Sequence, residues 1–495
     1  MHPFTNQYFN SFWILDLIMR LRSQVLSGLR WTAGARFSAQ IITWAITLYI
    51  IRLLSPADYG LMELALVFVA FLTLLNELGL GAAVVQHKNL DHNSLRSLFG
   101  LVLFVSTLFY TLLTILAPVI ANFYEEPRLT SLIRVLSLQF LLMGFTVLPQ
   151  SLLLRDMAFR KIASVDFVSA ISGSIVTLTL AVAGFGVWSL VWGSLAIRVV
   201  SLVGLNLVRP FVHIPCLKMA GMGDFISFGG YVTLSRVLWY FYSRADVLII
   251  GKIFGKELLG FYAVGLYLAS LPMEKISGIL NQVAFPAFAS VQSDPELAGR
   301  HFLKAIRVLS FFAFPVLWGI SSIAPEIVNL FLGIKWADAA LPLQVIALVI
   351  PLRMVSNLFN PALLGAGRAD FSFENSLVAF LVMPIAFWIG SNWGLLGVSM
   401  AWVIAFPLVF CVNLLRVKRV LAIAVSDVLK ALRMPFLSGF IMYCGVLLVK
   451  RTPVMSIHMV PKFVVYIGSG VVIYLLMSLI FNRNGLNEIR AIAKT

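Results

Sequence analysis

What most constrains this chain is a succession of apolar runs, each close to the ~20 residues that a helix needs to cross a bilayer. About 14 of them follow one another, near residues 32–54, 59–83, 96–120, 132–152, 164–183, 187–206, 226–250, 258–283, 305–325, 340–363, 372–390, 394–414, 432–450 and 462–482. The connections are short, and none holds a soluble domain. Composition points the same way: 60% of the 495 residues are hydrophobic and 12% are charged, against about 25% charged in soluble domains. Such a chain lacks the polar surface to face water. A cytosolic enzyme, a disordered chain and a disulfide scaffold are therefore excluded, and an all-α polytopic membrane protein is expected.

The 37 Lys and Arg against 21 Asp and Glu give a net charge of +16. In a soluble protein that excess would suggest nucleic acid, but here the positive-inside rule accounts for it and no nucleic-acid partner is expected. Roughly 22 cations fall in one set of loops, Arg155, Arg160, Lys161, Arg368, Arg416, Lys418 and Arg419 among them, and roughly nine in the opposite set. With an even number of spans, both termini are expected on the cytoplasmic side. The acidic turn at Glu125 and Glu126 then falls outside.

At the amino terminus, FWILDLIM has no basic stretch before it and no small-residue cleavage site after it, so it reads as an interfacial helix and not a signal peptide. The basic lead from Met19 is a second candidate translation start beside Met1. Cys216, Cys411 and Cys444 show no metal or disulfide spacing, and the six histidines fall between the spans. No cofactor is expected.

Shifting the sequence by 200 positions places Arg36 over Arg236, Arg52 over Lys252 and Gly60 over Gly260. A shift about 12 larger places Pro149 over Pro361 and Gly186 over Gly397. The division expected from this is a segment 1–31, a first lobe 32–206 of six spans, a linker 207–225, and a second lobe 226–414 of six spans. Two further spans with their preceding basic loop occupy 415–482, and the tail is 483–495. Two pseudo-symmetric lobes would enclose a central cavity.

Enzymatic parts are missing. IIGKIFGKELL around Gly251 to Lys256 lacks the Ser or Thr and the spacing of a phosphate loop, and reads as a tight turn between helices. What the spans do hold is charge: Arg36, Arg198, Arg236, Arg244, Lys275 and Arg353, with Glu63, Glu77, Asp166, Asp246 and Glu274. At about 2.5–3.5 kcal/mol for each charge at a helix centre, exposing them all to lipid would cost on the order of 10 kcal/mol or more. They are expected to face a wet cavity or one another. Arg36, Arg236 and Arg353 are the candidates to line a cationic cavity, since planar guanidiniums suit a phosphate. Glu77, placed to pair with Arg36, joins Asp166, Arg244 and Asp246 as candidate charge pairs or ion-coupling groups. Trp239 and Tyr242, just after Arg236, offer aromatic faces to sugar rings or to the membrane interface.

RLLSPADYGLMELALVFVAF from Arg52 to Phe71, then ELGLGAAVVQ ending at Gln86, resembles the signature of the polysaccharide transporter family. These are Wzx-type flippases, with colanic acid exporters among them, in the superfamily of multidrug, oligosaccharidyl-lipid and polysaccharide exporters. SRADVLIIGKIFGKELLGFYAVGLYLASLP, Ser243 to Pro272, resembles the family's second-lobe counterpart. The resemblance spans Leu26 to Arg419 and implies a MATE-like fold of two six-helix lobes plus two helices. It also implies a flippase, not an enzyme, that carries an undecaprenyl-diphosphate-linked oligosaccharide across the bacterial inner membrane for exopolysaccharide, O-antigen or capsule synthesis. Membrane lipids and a polysaccharide polymerase complex are the implied partners, with H+ or Na+ as the implied coupling ion. The alternatives within the superfamily are a lipid II flippase, whose cargo is also a diphosphate lipid, and a cation-coupled multidrug exporter, which would call for an acidic cavity.

Overall fold

The computed structural model describes residues 43–77, 92–211, 214–216, 230–292, 294–452, 459–481 and 488. The architecture is all-helical. In chain order the helices are α1 (Thr43–Leu53), α2 (Pro56–Glu77), α3 (His92–Phe123), α4 (Arg128–Gly144), α5 (Val147–Arg155), α6 (Phe159–Val182), α7 (Val187–Val208) and α8 (Gly230–Ser290). There follow α9 (Pro295–Ser322), α10 (Ala340–Ser356), α11 (Phe359–Gly365), α12 (Ala369–Gly390), α13 (Gly394–Val420), α14 (Val425–Val449) and α15 (Met459–Phe481). Among the described residues, nine helical stretches are long and apolar enough to cross a membrane, ten if α4 and α5, bent by 44°, form one span. The protein is thus an all-α polytopic membrane protein.

The local sequence explains where these helices start and stop. Ser55 precedes α2, with Pro56 in its first turn and Asp58 three residues after the serine. Asp58 Oδ2 accepts from the Ser55 amide (3.1 Å) and hydroxyl (2.6 Å), while the Asp58 amide donates back to Ser55 Oγ (3.2 Å). This reciprocal cap satisfies amides that the first helical turn leaves unpaired. Asp58 Oδ1 also accepts from the Val187 amide (3.1 Å), tying the start of α7 to the start of α2. The SPAD core of the family-like motif is therefore a helix start shared by two helices.

A straight helix as long as α8, with its 61 residues, would run about 90 Å, three times the hydrocarbon thickness. It folds back at Gly255, whose φ of 77° is readily open only to glycine. The turn brings Tyr262 Oη within 2.5 Å of Asp246 Oδ2, atoms that a straight helix would hold some 24 Å apart. Each arm carries several charges, 236, 244, 246 and 252 on one and 256, 257 and 274 on the other, so neither joins the strongly apolar set.

α2 packs along α8, α3 pairs with α4, α6 with α7, and α12 with α13, while α9 joins α10 to the α14–α15 pair. One continuous core runs through these contacts, with Ile51, Leu64, Phe140, Tyr262, Trp336, Phe387 and Trp402 fully enclosed. Outward faces present Ile115, Val182, Ile404, Leu448 and Val464, as burial against lipid requires.

Candidate functional site

At one end of the bundle the helices close tightly. A Cβ on Gly60 would lie 1.7 Å from the Lys256 carbonyl oxygen, and one on Gly260 would lie 1.8 Å from that of Pro56. Each glycine thus abuts the backbone that starts the other's helix. Around them Lys252 Nζ contacts Glu125 Oε1 (2.8 Å) and the Phe123 carbonyl (2.7 Å), and Lys256 Nζ contacts Glu126 Oε2 (2.5 Å). Lys335 donates to the Leu53 carbonyl (3.0 Å) and the enclosed Trp336 indole to that of Ile51 (2.8 Å). The Lys252 ammonium, through its hydrogen bond and charge, holds the Glu125 carboxyl below its usual range. Deeper in, Arg244 pairs with Glu63 (2.6 Å), and the Tyr240 hydroxyl donates to the Val67 carbonyl.

Toward the opposite end the packing opens into a cavity of about 520 Å³. Leu74 of α2, both arms of α8, the α10–α11 junction, the start of α12 and Asn413 of α13 line it. Arg236, Trp239 and Glu274 stand exposed in it, and Tyr242 borders it. Asn360, Ser372, Asn375, Ser376 and Asn413 also line it. Ser372, Asn375 and Ser376 share one helical face by their spacing of three and four. At the rim Arg368 meets Asp370 (2.6 Å).

Between the seal and the cavity lies an enclosed network. Asp246, fully buried, accepts from the Val247 amide (2.8 Å), the Tyr262 hydroxyl (2.5 Å) and the Trp402 indole N–H (3.1 Å). The Arg353 guanidinium stacks 4.0 Å above the Trp402 ring. A cation on the ring face strengthens the indole as a donor, so Arg353 and Asp246 act on each other through Trp402.

These placements change the expected arrangement. Arg236 is in the cavity, but Arg353 is not among its lining residues: its guanidinium is held over Trp402, with its Nη1 enclosed and unpartnered among the described residues. Arg36 lies outside the described residues, as do the side chains of Glu77 and Lys275. Arg244 and Asp246 do not form an ion pair, for each has its own partners, Glu63 for one and Tyr262 with Trp402 for the other. Asp166 is exposed on α6 and does not line the cavity. The sequence reading missed the amide wall because it searched for charge. Its signal was present in the Ser372, Asn375, Ser376 spacing inside an apolar run.

A model of the family described as "Polysaccharide biosynthesis protein" matches residues 50–341, more than half of the chain. The chain belongs to this family. It is 26% identical over 396 residues to the lipopolysaccharide biosynthesis protein WzxC of Escherichia coli K12, covering 78% of this chain and 79% of that one. It is also 26% identical over 431 residues to the teichuronic acid biosynthesis protein TuaB of Bacillus subtilis 168, covering 84% and 87%. Among solved structures, the lipid II flippase MurJ in its inward closed conformation superposes with a TM-score of 0.73 at 15% identity, covering 90% of this chain and 98% of that one. That last likeness is one of fold. The matched span 50–341 takes in the cap at Ser55 and Asp58, both closing glycines, the Lys252 and Lys256 pairs and Trp336.

Proposed function

We propose that this family member is a flippase that moves a lipid-linked oligosaccharide repeat unit across the membrane for surface polysaccharide synthesis, with no chemical step of its own. The observation that carries this reading is the polar cavity holding Arg236, sealed from one end of an otherwise apolar bundle by the glycine and lysine contacts. An undecaprenyl-diphosphate carrier suits it: Arg236 offers a permanent cation and two parallel donors to a phosphate. Among the described residues, the charged side chains that line the cavity are Arg236 and Glu274, a balance that gives no support to a drug exporter for cationic cargo.

The same reading sets the frame in finer detail. Fourteen spans follow if α8 counts as two, the bent α4–α5 pair as one, α10 with α11 as one, and α1 as the end of a first span. They divide into lobes 32–206 and 226–414, with 415–482 appended. The charge bias of the loops supports both termini in the cytoplasm of a bacterial inner-membrane protein, and the cavity then opens inward. Coupling to H+ or Na+ belongs to the proposal, with Asp246 as the carboxylate through which it would act, beside Arg244, Asp166 and Glu77. A polymerase that receives the flipped unit is the proposed partner.

Purified protein in proteoliposomes tests the reading. Wild type should move a fluorescent undecaprenyl-diphosphate oligosaccharide between leaflets, and Arg236→Ala should lower the rate tenfold or more with expression unchanged. In cells, deletion should leave lipid-linked oligosaccharide on the inner leaflet and no surface polymer. A deletion that altered only drug tolerance would refute the flippase assignment.

A further inference from the structure

The sealed end of the first lobe carries a second feature, separate from the cavity. α4 and α6 each pack along α7 but make few contacts with each other, so a groove opens between them on the outward face. Its volume is about 720 Å³, and Leu138, Leu142, Val176, Leu180, Trp192 and Val199 are among its lining residues. Apart from the Trp192 indole, every side chain lining it is purely hydrocarbon. Phe185, Trp192 and Val199 are each about half exposed. Val199 lies about 18 Å along α7 from Val187, close to the ~15 Å that one leaflet's hydrocarbon occupies.

Toward the sealed end the groove continues, through Phe185, into a polar recess of about 290 Å³ lined by Asp58, Arg128, Ser131 and Trp188 among others. Arg128 is exposed at the start of α4. Arg134 is exposed too, one turn before Leu138 and two before Leu141, so it stands in register between recess and groove. Among the described residues neither arginine has a carboxylate partner, and Arg134 Nε makes one long hydrogen bond, to the Thr114 carbonyl (3.4 Å). The turns that join the first lobe's helices at this end, 54–55, 124–127 and 183–186, are all among the described residues, and the acids on or beside them are engaged. Asp58 holds the Ser55 and Val187 amides, Glu125 holds Lys252 and Glu126 holds Lys256. Two exposed cations thus stand unmatched above an apolar groove, where bare contact with hydrocarbon is costly.

We propose that recess and groove together hold one anionic phospholipid of the leaflet at the sealed end, its phosphate at Arg128 and Arg134 and an acyl chain along α7. Guanidiniums offer paired donors to phosphate oxygens, and basic recesses between spans suit anionic headgroups. Trp188 and Trp192, one turn apart, mark the level where headgroup gives way to hydrocarbon. The occupant is a membrane phospholipid and not the cargo, because the groove lies on the outward face and shares no lining residue with the cavity. Bound there, the lipid joins α4 to the α6–α7 hairpin beside the Glu126–Lys256 contact of the seal. The inference stands apart from the flippase reading.

Native mass spectrometry of the full-length protein tests this with phosphatidylglycerol, phosphatidylethanolamine and diacylglycerol of the same chains, and with undecaprenyl phosphate. Wild type should bind its first phosphatidylglycerol at least tenfold more tightly than diacylglycerol and about threefold more tightly than phosphatidylethanolamine. Arg128→Gln combined with Arg134→Gln should bring phosphatidylglycerol to within twofold of diacylglycerol. Ala196→Trp, which fills the groove, should weaken both at least fivefold. Melting temperature in lipid-free detergent reports folding. If the double variant melts lower than wild type, Arg128→Gln alone, at an exposed helix start, should still cut the preference for phosphatidylglycerol over diacylglycerol about threefold. Equal affinity of wild type for phosphatidylglycerol and either of the other two glycerolipids overturns the site. So does a folded arginine variant that keeps the full preference, or unchanged binding in Ala196→Trp. Undecaprenyl phosphate that displaces phosphatidylglycerol from the same arginines would make the cargo carrier the occupant and overturn the phospholipid assignment.

Discussion

The two ends of the bundle solve opposite problems with different chemistry. The sealed end brings backbones together: glycines lie against carbonyls, lysines reach across to main-chain oxygens, and an enclosed tryptophan donates to the Ile51 carbonyl. The cavity end holds helices apart and lines the space with amides and hydroxyls, one amide oxygen having no partner among the described residues. Close backbone contact tolerates almost no added volume, whereas an amide wall tolerates change in volume and is sensitive to the direction of its hydrogen bonds. A rigid seal beside an adaptable pocket is what a carrier of one large, polar cargo needs.

Substitutions should separate the two ends, and the largest effect is expected at the seal. Gly260→Val puts carbon into space occupied by the Pro56 carbonyl, where overpacking costs about 1–3 kcal/mol even against side chains that can shift. Transport should fall at least tenfold. A cysteine introduced beside Gly60 should become reactive toward a membrane-impermeant maleimide, and unchanged labelling would show that the seal does not depend on this contact. Next in size is Lys256→Met, which strands the mostly buried Glu126 carboxylate. Losing a charged hydrogen bond of this kind should cost about 1.5–3 kcal/mol, read as a lowered melting temperature. Pairing it with Glu126→Leu should recover most of that loss, because an apolar pair replaces a buried ion pair at little cost. A double variant no more stable than the single one would show that the two residues do not act together.

The smallest effect belongs to the exposed Lys252–Glu125 pair. Because Lys252 lowers the folded-state value of Glu125, the pair's contribution is complete above the ordinary glutamate range and fades as pH falls through the lowered value. A melting curve taken across that acidic window should show a slightly steeper loss in wild type than in Lys252→Met. Identical pH profiles would mean the pair contributes nothing.

Much of the seal was legible in the sequence. The 200-residue shift pairs Gly60 with Gly260, which meet at the seal, whereas the SPAD run, legible only as a family likeness, is a reciprocal helix cap in the structure. The buried network was legible only as a set of charges. Arg244 finds Glu63 181 residues away, and Asp246 finds Trp402 at 156, and no local pattern encodes such distances. The sequence points Arg353 toward the cavity because an arginine within a span calls for a carboxylate or water. An aromatic face meets part of that need, and a search for charge partners does not register it. The amide wall escaped for a related reason: asparagine and serine carry little weight in a hydropathy count, yet in an enclosed cavity their orientation decides what binds.

The reciprocal glycine contact has a further consequence. Gly60 meets the carbonyl at 256, Gly260 meets the carbonyl at 56, and both pairings are related by the same 200 positions. This is the form of an isologous interface, in which one patch meets its own copy across a two-fold axis, as in a symmetric homodimer. Two identical chains of roughly half this length could have made the contact with a single glycine, since a symmetric interface uses every change twice. Once both copies lie in one chain, each glycine can be altered independently, but neither has room to change unless the opposing backbone moves first.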